Sequence, residues 1–127
     1  MMSLTAELYW LPHCSTCQKA KAFLEEQGVS FTLVHDIKAS ALSEAQVKRL
    51  VDTVGGIDAL FSKRAMKFRQ WGLNEKDLSQ DELLAYMVQE YTFIKRPVTI
   101  LSNGDAFAGF APKQMANYFD ALKASKG

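Results

Sequence analysis

Two cysteines stand three positions apart, at Cys14 and Cys17. The pair falls where a strand-like pattern gives way to a helical one, so we expect Cys14 at the N-terminus of a helix. The backbone N–H groups and the positive dipole end found there favour an anion and lower the pKa of a thiol. Cys17 follows almost one turn later, within reach for a disulfide. The spacing therefore predicts Cys14 as a nucleophile and Cys17 as a resolving thiol that attacks any adduct formed on Cys14.

Other interpretations of the pair stay open. The cysteines could be half of a zinc site, but zinc needs about four ligands, and the two histidines, His13 and His35, lack zinc-finger spacing. Cys17 alone could also be an inert core thiol. His13 is either a cation that lowers the pKa of Cys14 or an exposed loop residue, and His35 is interpreted as structural. We favour redox chemistry and expect no metal and no bound cofactor.

The elements that flank the pair follow from the period of the apolar residues. Residues 4–10 alternate with period two and predict a strand. Helical spacing begins at Cys17, with Gly28 as a plausible stop, and residues 29–34 are rich in β-formers. The first 35 residues thus predict a strand, a helix and a second strand, with a connection long enough for a parallel crossover.

The middle of the chain reads as a helical block. Ser43 with Gln46 and Ser79 with Glu82 have the spacing of capping boxes, each before an apolar stripe. The second stripe is expected at Leu84, Met87, Val88 and Tyr91. Gly55-Gly56 ends the first of these helices, and shorter helical pieces over residues 57–71 end at Gly72. No linker separates this block, so we expect an insertion of about residues 38–93 within a single domain of residues 1–127.

The last third changes period again. Residues 98–101 form a compact apolar strand, Asn103-Gly104 predicts a type I′ hairpin turn, and residues 106–110 would be the returning strand. Pro112 suits the first turn of a final helix. The buried stripe of that helix is expected at Met115, Tyr118, Phe119 and Leu122. The order βαβ, helical block, ββα predicts an α/β, thioredoxin-like fold with a four-stranded mixed sheet.

Arg96-Pro97 precedes the third strand, and in a thioredoxin-like sheet this segment faces the cysteine loop. That fold also favours a cis bond before Pro97. Arg96 would then project toward Cys14, where a guanidinium stabilises a thiolate and offers a planar pair of donors to an oxyanion. The alternative for Arg96 is a solvated surface side chain.

Composition narrows the function classes. The chain has 127 residues with fifteen basic and fourteen acidic side chains, a net charge of +1. Such a balance gives no broad cationic field for nucleic acid or an anionic membrane. The N-terminus lacks the pattern of a signal peptide, and no apolar run approaches the roughly 20 residues that span a bilayer. We therefore expect a cytoplasmic protein with no direct DNA binding and no membrane contact.

With these residues in view, the chain resembles the ArsC/Spx family: glutaredoxin-like arsenate reductases, their uncharacterised relatives and Spx/MgsR-type redox regulators. The resemblance covers nearly the whole chain. It is carried by Leu8 to Ala20 around the cysteine pair, Asp36-Ile37-Lys38 after the second strand, Arg64 followed by Phe68, and Arg96-Pro97 before the Asn-Gly hairpin.

The resemblance implies a thioredoxin-like core in which Cys14 matches the family's catalytic cysteine. Arg64 and Arg96 match two arginines that in the reductases bind the oxyanion and stabilise the cysteine adduct, and Pro97 joins them in the substrate-binding set. In those enzymes the thiolate attacks arsenate, glutathione adds, and glutaredoxin completes the reduction. The resemblance thus implies a thiol-disulfide oxidoreductase for arsenate, a related oxyanion or a thiol substrate. Its electron donor would be glutathione or a thioredoxin or glutaredoxin partner.

Three positions differ from the reductases. Ala111 stands before Pro112 where they have a third arginine, Gln18 replaces an arginine, and Trp10 replaces a histidine. Cys17 is shared with the Spx-like regulators and permits an intramolecular disulfide that the glutathione route does not need. These differences favour a weak reductase or a different substrate.

A regulator that binds RNA polymerase, with the Cys14–Cys17 disulfide as its switch, is the alternative function. In the regulators a glycine of the helical block contacts the polymerase α subunit, and Gly56 stands at about that position relative to Arg64. The other interpretation of Gly56, which we prefer, is a turn that ends a helix.

Overall fold

The protein is described here by a computed structural model covering residues 4–111, 114, 116–118 and 120–122. The chain divides into two compact units. The sheet unit comprises residues 1–40 and 96–127, and the helical unit comprises residues 41–95. The sheet unit is therefore built from two chain segments, and the cysteine pair lies in the first of them.

The sheet of the first unit has four strands, β1 (Thr5–Trp10), β2 (Ser30–Asp36), β3 (Val98–Leu101) and β4 (Ala106–Ala108). Their order in the sheet is β2-β1-β3-β4, which confirms the predicted mixed sheet. Strand β1 pairs in parallel with β2 and antiparallel with β3, and β3 pairs antiparallel with β4. Because β1 and β3 are the inner strands, their ends hold side chains in well-fixed positions.

The first helix, α1 (Ser15–Glu26), begins directly after Cys14 and buries one stripe at Cys17, Ala20 and Leu24. Its end agrees with the predicted stop, since Gly28 adopts a positive φ of 81° just beyond it. Ala20 and Leu24 join a core that also contains residues of the sheet and of the C-terminal segment. This stripe fixes the rotation of α1 and with it the direction in which Cys17 points.

The residues described near the C-terminus, 114, 116–118 and 120–122, are helical. Tyr118 and Leu122 are buried in the core of the sheet unit, as predicted. The expectations for Pro112, Met115 and Phe119 lie outside the described residues.

The hairpin between β3 and β4 forms where predicted, but with a different turn. Gly104 has φ 96°, whereas Asn103 does not have the positive φ that a type I′ turn requires. Gly104 N–H instead donates to Leu101 O at 3.0 Å, and Leu101 N–H donates to Asp105 O at 2.8 Å. These bonds close a three-residue loop with its left-handed residue at Gly104, the next most common hairpin. The returning strand also ends at Ala108, earlier than expected, because Gly109 with φ 91° leaves the extended conformation.

The helical unit contains four α-helices among its described residues. They are α2 (Glu44–Val54), α3 (Ile57–Leu60), α4 (Met66–Gln70) and α5 (Gln80–Gln89), and short 3₁₀ turns cover Leu73–Glu75 and Tyr91–Phe93. Both predicted capping boxes are present in full, at Ser43 with Gln46 and at Ser79 with Glu82. The local sequence therefore determines where α2 and α5 begin.

The core of the helical unit is aromatic. Phe93 packs its ring against those of Phe61, Trp71 and Tyr86, with centroids 5.4 to 6.0 Å apart. The predicted stripe of α5 needs correction: its buried residues are Leu83 and Met87, while Leu84 and Val88 are half-buried and Tyr91 lies beyond the helix end. The predicted stripe was wrong in all but Met87, because the packing partners of a short helix decide which face is buried and the spacing of its apolar residues does not.

Candidate active site

Cys14 is the N-cap residue of α1, with extended backbone angles of φ −84° and ψ 119°. The loop before it is a tight turn, in which Cys14 N–H donates to Leu11 O at 3.1 Å. At the start of the helix, Cys17 N–H donates to Cys14 Sγ at 3.4 Å. The predicted placement of Cys14 at a helix N-terminus is thus confirmed, and its sulfur takes the position of an ordinary capping oxygen.

Gln18 secures the same loop from the helix side. Its Nε2 donates to the carbonyl of Pro12 at 2.7 Å, across the turn that leads into Cys14. Gln18 stands where the arsenate reductases have an arginine, and its contact with the loop is not evident from the sequence.

The surroundings of Cys14 lower its pKa. Partial burial raises it, but the hydrogen bonds from the side chain and the backbone N–H of Cys17, the positive charge of Arg96 and the backbone N–H of Thr16 together outweigh that effect. Each of these stabilises a negative sulfur, so Cys14 ionises more readily than an ordinary cysteine.

Cys17 has the opposite character. Its side chain is fully buried, and burial raises its pKa to about 12. A backbone hydrogen bond with Leu11 and the charge of Arg96 lower that pKa, whereas the neighbouring Cys14 raises it. Both cysteines are free thiols. The two thiols therefore differ before any reaction begins. Cys14 is half-buried and has a lowered pKa, whereas Cys17 is fully buried and has a raised pKa.

Arg96 and Pro97 lead into β3, and the peptide bond between them is cis. Arg96 is half-buried, and its charge affects the pKa of both cysteines. Pro97 is buried, and its carbonyl accepts a hydrogen bond from Gly109 N–H at 2.7 Å, which ties the segment to the end of β4. The sheet unit thus places Arg96 where its positive charge lowers the pKa of both cysteines.

The fifth predicted site residue, Arg64, belongs to the helical unit. It is exposed and lies in the turn between α3 and α4. Its predicted role toward an oxyanion stays a prediction.

Two aromatic residues at the end of β1 lie beside charged groups. Tyr9 is buried and its hydroxyl donates to Glu7 Oε1 at 3.0 Å, while Lys21 lies over the ring of Trp10 at 5.9 Å.

The two histidines lie apart from any group of metal ligands. His13 is exposed, and His35 contacts Ser40 O through Nε2 at 2.7 Å. Within the described part of the chain, no three His, Cys, Asp or Glu side chains converge as metal ligands would.

A model of the ArsC family matches residues 9–118, a span that includes the cysteine pair, Arg64 and the Arg96-Pro97 segment. The chain belongs to the ArsC family. This ArsC-family chain is also similar in structure to the arsenate reductase from Vibrio cholerae, with a TM-score of 0.78 and 27% identity over 91% of this chain and 98% of that one. The likeness confirms the thioredoxin-like fold.

The sequence relatives of this ArsC-family chain include an uncharacterised protein and a transcriptional regulator. The uncharacterised protein YusI of Bacillus subtilis is 39% identical over 101 residues, which cover 77% of this chain and 83% of YusI. The global transcriptional regulator Spx of Streptococcus pneumoniae is 30% identical over 114 residues, 84% of this chain and 85% of Spx. The chain is thus similar to proteins of two kinds, an arsenate reductase in structure and a transcriptional regulator in sequence. No helix within the described residues is long and apolar enough to cross a bilayer.

Proposed function

We propose that the protein is a thiol-disulfide oxidoreductase of the arsenate reductase type, with Cys14 as the nucleophile and Cys17 as the resolving thiol. The observation that carries the proposal is the contrast between the two thiols: surroundings that lower the pKa of Cys14 and burial that raises that of Cys17 to about 12. A nucleophile must be ionised and accessible, whereas a resolving thiol must stay protonated and shielded until an adduct forms beside it.

With a disulfide substrate, the Cys14 thiolate attacks one sulfur and expels the other as a thiolate. Cys17 then attacks Cys14 Sγ, releases the second substrate thiol and leaves a Cys14–Cys17 disulfide. With an oxyanion such as arsenate, the Cys14 thiolate displaces water from As(V). Attack on Cys14 Sγ by Cys17 or by glutathione then leaves the electron pair of the S–As bond on arsenic, which departs as As(III). Either route transfers two electrons from two thiols.

Arg96 and Arg64 would bind the oxyanion, and Pro97 would border it. Arg96 supports this assignment by its effect on the charge of Cys14, because a cation that stabilises a thiolate also attracts an anionic substrate. The side-chain amide of Gln18 already donates a hydrogen bond to the carbonyl of Pro12 within the protein, so we do not assign it to the oxyanion. With Ala111 in place of the third arginine, we expect arsenate to be turned over slowly.

The disulfide must be reduced for another cycle, and no group bound to the protein is needed for that step. Glutathione with glutaredoxin, or thioredoxin, would serve as the electron donor. The decisive assay measures arsenite formed from arsenate by the reduced protein, with each reducing system supplied separately and Cys14→Ser as the blank. Turnover that depends on Cys14 supports an arsenate reductase, and the preferred donor shows whether Cys17 or glutathione resolves the adduct. Full turnover by Cys14→Ser would refute the mechanism.

A redox-sensing regulator that contacts RNA polymerase is the second candidate. It is favoured by the similarity to Spx over more than four fifths of both chains. Gly56, which stands near the position of the regulators' contact glycine, is the N-cap of α3 with φ 138°. Purified polymerase should then bind one redox state of this protein more tightly than the other. Equal or absent binding by the reduced and the oxidised protein would exclude this use.

A further inference from the structure

The turn that leads into α1 is held by hydrogen bonds from Gln18. This turn covers residues 11–14 and ends at the N-cap of the helix. Gln18 Nε2 donates to Pro12 O at 2.7 Å, and Gln18 N–H donates to Cys14 O at 2.9 Å. Within the turn, Cys14 N–H donates to Leu11 O at 3.1 Å. Gln18 thus binds two carbonyls of the turn from a position one turn into α1.

The two bonds that Gln18 donates differ in what they require. The bond to Cys14 O is an ordinary helical bond between backbone groups, and any residue except proline would donate it from position 18. The bond to Pro12 O comes from the side-chain amide, so it requires a donor of the right length. Substitution of Gln18 by a side chain without a donor therefore removes one contact of the turn and leaves the backbone bonds of the helix in place.

Both thiols depend on where this turn lies. Cys14 ends the turn, and its Sγ accepts the N–H of Cys17 at 3.4 Å. The backbone N–H groups of Thr16 and Cys17 lower the pKa of Cys14. A backbone hydrogen bond with Leu11, at the other end of the turn, lowers the pKa of Cys17. Movement of the turn away from α1 would weaken all of these bonds, because each has one partner in the turn and one in the helix.

The turn must be held before Cys14 ionises. A neutral thiol is a weak hydrogen-bond acceptor, so protonated Cys14 caps the helix poorly and does little to fix its own position. The amide of Gln18 donates over a short distance and carries no charge. It can therefore hold the turn in one place whether Cys14 is a thiol or a thiolate. The N–H groups of the first helical turn are then in position when the negative charge forms.

We propose that Gln18 is a positioning residue for the nucleophile: its side-chain amide fixes the turn of residues 11–14 on α1 and so keeps Cys14 Sγ at the N–H groups that begin the helix. This inference rests on the proposed function, in which Cys14 attacks the substrate. Gln18 acts through the turn, since its amide bonds to Pro12. Because Gln18 is exposed, loss of the amide should make Cys14 a weaker acid without unfolding the protein.

The charged and titratable groups around Cys14 stay the same when Gln18 is replaced by a neutral side chain. Among the described residues, Cys17 from α1 and Arg96 from the segment before β3 affect the pKa of Cys14. His13 precedes Cys14 in the chain and is exposed. Methionine has nearly the shape of glutamine, carries no charge and has no N–H to donate. A change in the pKa of Cys14 in Gln18→Met therefore reports the position of the turn.

The test measures the ionisation of Cys14 in Cys17→Ser, the parent variant, where Cys14 is the one cysteine of the chain. The rate of alkylation by iodoacetamide is followed by mass between about pH 5 and 10, and the midpoint of the profile gives the pKa. Gln18→Met removes the donor, whereas Gln18→Arg keeps a donor and adds a positive charge. Gln27→Met, at the C-cap of the same helix, is the matched control. Each variant is measured in about 0.05 M and about 1 M salt, because salt screens charges.

In Gln18→Met we expect the midpoint to rise by about half a pH unit at both salt concentrations, which is about a threefold change in the ionisation constant, as the loss of one neutral hydrogen bond implies. Gln27→Met should keep the midpoint of the parent. Gln18→Arg should lie below the parent in low salt because of its charge. In high salt it should return to the midpoint of the parent, because its donor still holds the turn.

An unchanged midpoint in Gln18→Met would overturn the inference. An equal shift in Gln27→Met would also overturn it, because that indicates a general effect on the helix. So would a midpoint of Gln18→Arg that equals that of Gln18→Met in high salt, because the donor would then have no effect.

The proposed function is checked separately in the wild-type chain, by mass spectrometry after reaction of the reduced protein with dithiobis(nitrobenzoate), an aromatic disulfide. A protein that carries two mixed disulfides and no Cys14–Cys17 bond refutes the proposed function and the inference that rests on it. A protein that forms the bond, together with an unchanged midpoint in Gln18→Met, refutes the role of Gln18 alone. A protein that forms the bond, together with the expected shift, supports both.

Discussion

The difference in pKa between Cys14 and Cys17 predicts a large difference in the rates at which they are alkylated. Iodoacetamide modifies thiolates, so the rate at each cysteine depends on how much of it is ionised and on how readily it is reached. We compare Cys17→Ser, in which only Cys14 can react, with Cys14→Ser, in which only Cys17 can react. Serine keeps a hydroxyl group next to the remaining cysteine, so each variant preserves a hydrogen-bonding neighbour.

The magnitude follows from the two pKa values. At pH 7 a thiol with the pKa of about 12 found for Cys17 is ionised to about one part in 100,000. Cys14 has a pKa below the ordinary 9.0 and is ionised to more than about one per cent. The thiolate fractions thus differ by more than about 1,000-fold. A less acidic thiol gives a more nucleophilic thiolate, which offsets about 15- to 30-fold of that ratio.

We therefore expect Cys14 to react at least about 30-fold faster than Cys17, and burial of Cys17 widens the gap further. The assay is the increase in mass with time under pseudo-first-order conditions, with each variant unfolded in denaturant as its own reference. Unfolding should bring the two rates within a few-fold of each other. Folded variants that are alkylated at similar rates would refute the assignment of nucleophile and resolving thiol.

Further predictions concern charge and stability. Arg96→Gln should raise the pKa of Cys14 and move the pH profile of its alkylation upward, while Arg96→Lys keeps the charge and should shift it less. Ser79→Ala removes the bond that Ser79 Oγ accepts from Glu82 N–H in the capping box and should lower the free energy of unfolding by about 1 kcal/mol, measured with urea. Glu90→Gln should cost up to about 1 kcal/mol at neutral pH, because Lys67 Nζ donates to Glu90 at 2.8 Å and holds its pKa below the usual value. A depressed carboxyl pKa stabilises the fold above the unfolded value near 4.5 and loses that effect as pH falls, so wild type and Glu90→Gln should converge in acid.

A specific result would contradict each of the predictions for Arg96, Ser79 and Glu90. An identical alkylation profile for Arg96→Gln and wild type would mean that the guanidinium does not act on Cys14. Ser30→Ala, at an exposed serine at the start of β2, is the control for the cap, and an equal effect of the two serine changes would contradict a specific capping role. A constant difference between Glu90→Gln and wild type across the acid range would show that packing, and not the ion pair, sets its effect.

Local signals made much of the fold predictable. Ser43 and Ser79 marked two helix starts because a capping box lies within four consecutive residues, and the alternation of residues 4–10 marked β1. The turn at Asn103 was mistaken because the same dipeptide suits two hairpin loops, and the hydrogen bonds of the flanking strands choose between them.

The site was predictable to the extent that it is local. Cys14 and Cys17 share one turn at a strand-to-helix junction, so their places at the start of α1 followed from the sequence pattern. Arg96 lies far along the chain from Cys14, and its charge influences Cys14 only because β3 pairs with β1. Its placement therefore followed from the predicted fold and not from a local pattern.

The two-segment construction of the sheet unit has a consequence for the order of folding. Residues 41–95 separate β2 from β3, so pairing of Ala6 with Leu101 must close a long loop, which carries a chain-entropy penalty of about 4 kcal/mol plus a constant. Arg96 arrives with the second segment. A chain that has formed only its first strand-helix-strand segment therefore has Cys14 without the arginine that favours its thiolate. The acidity of Cys14 develops fully only at closure, and a pulse of alkylating reagent during refolding would time that event.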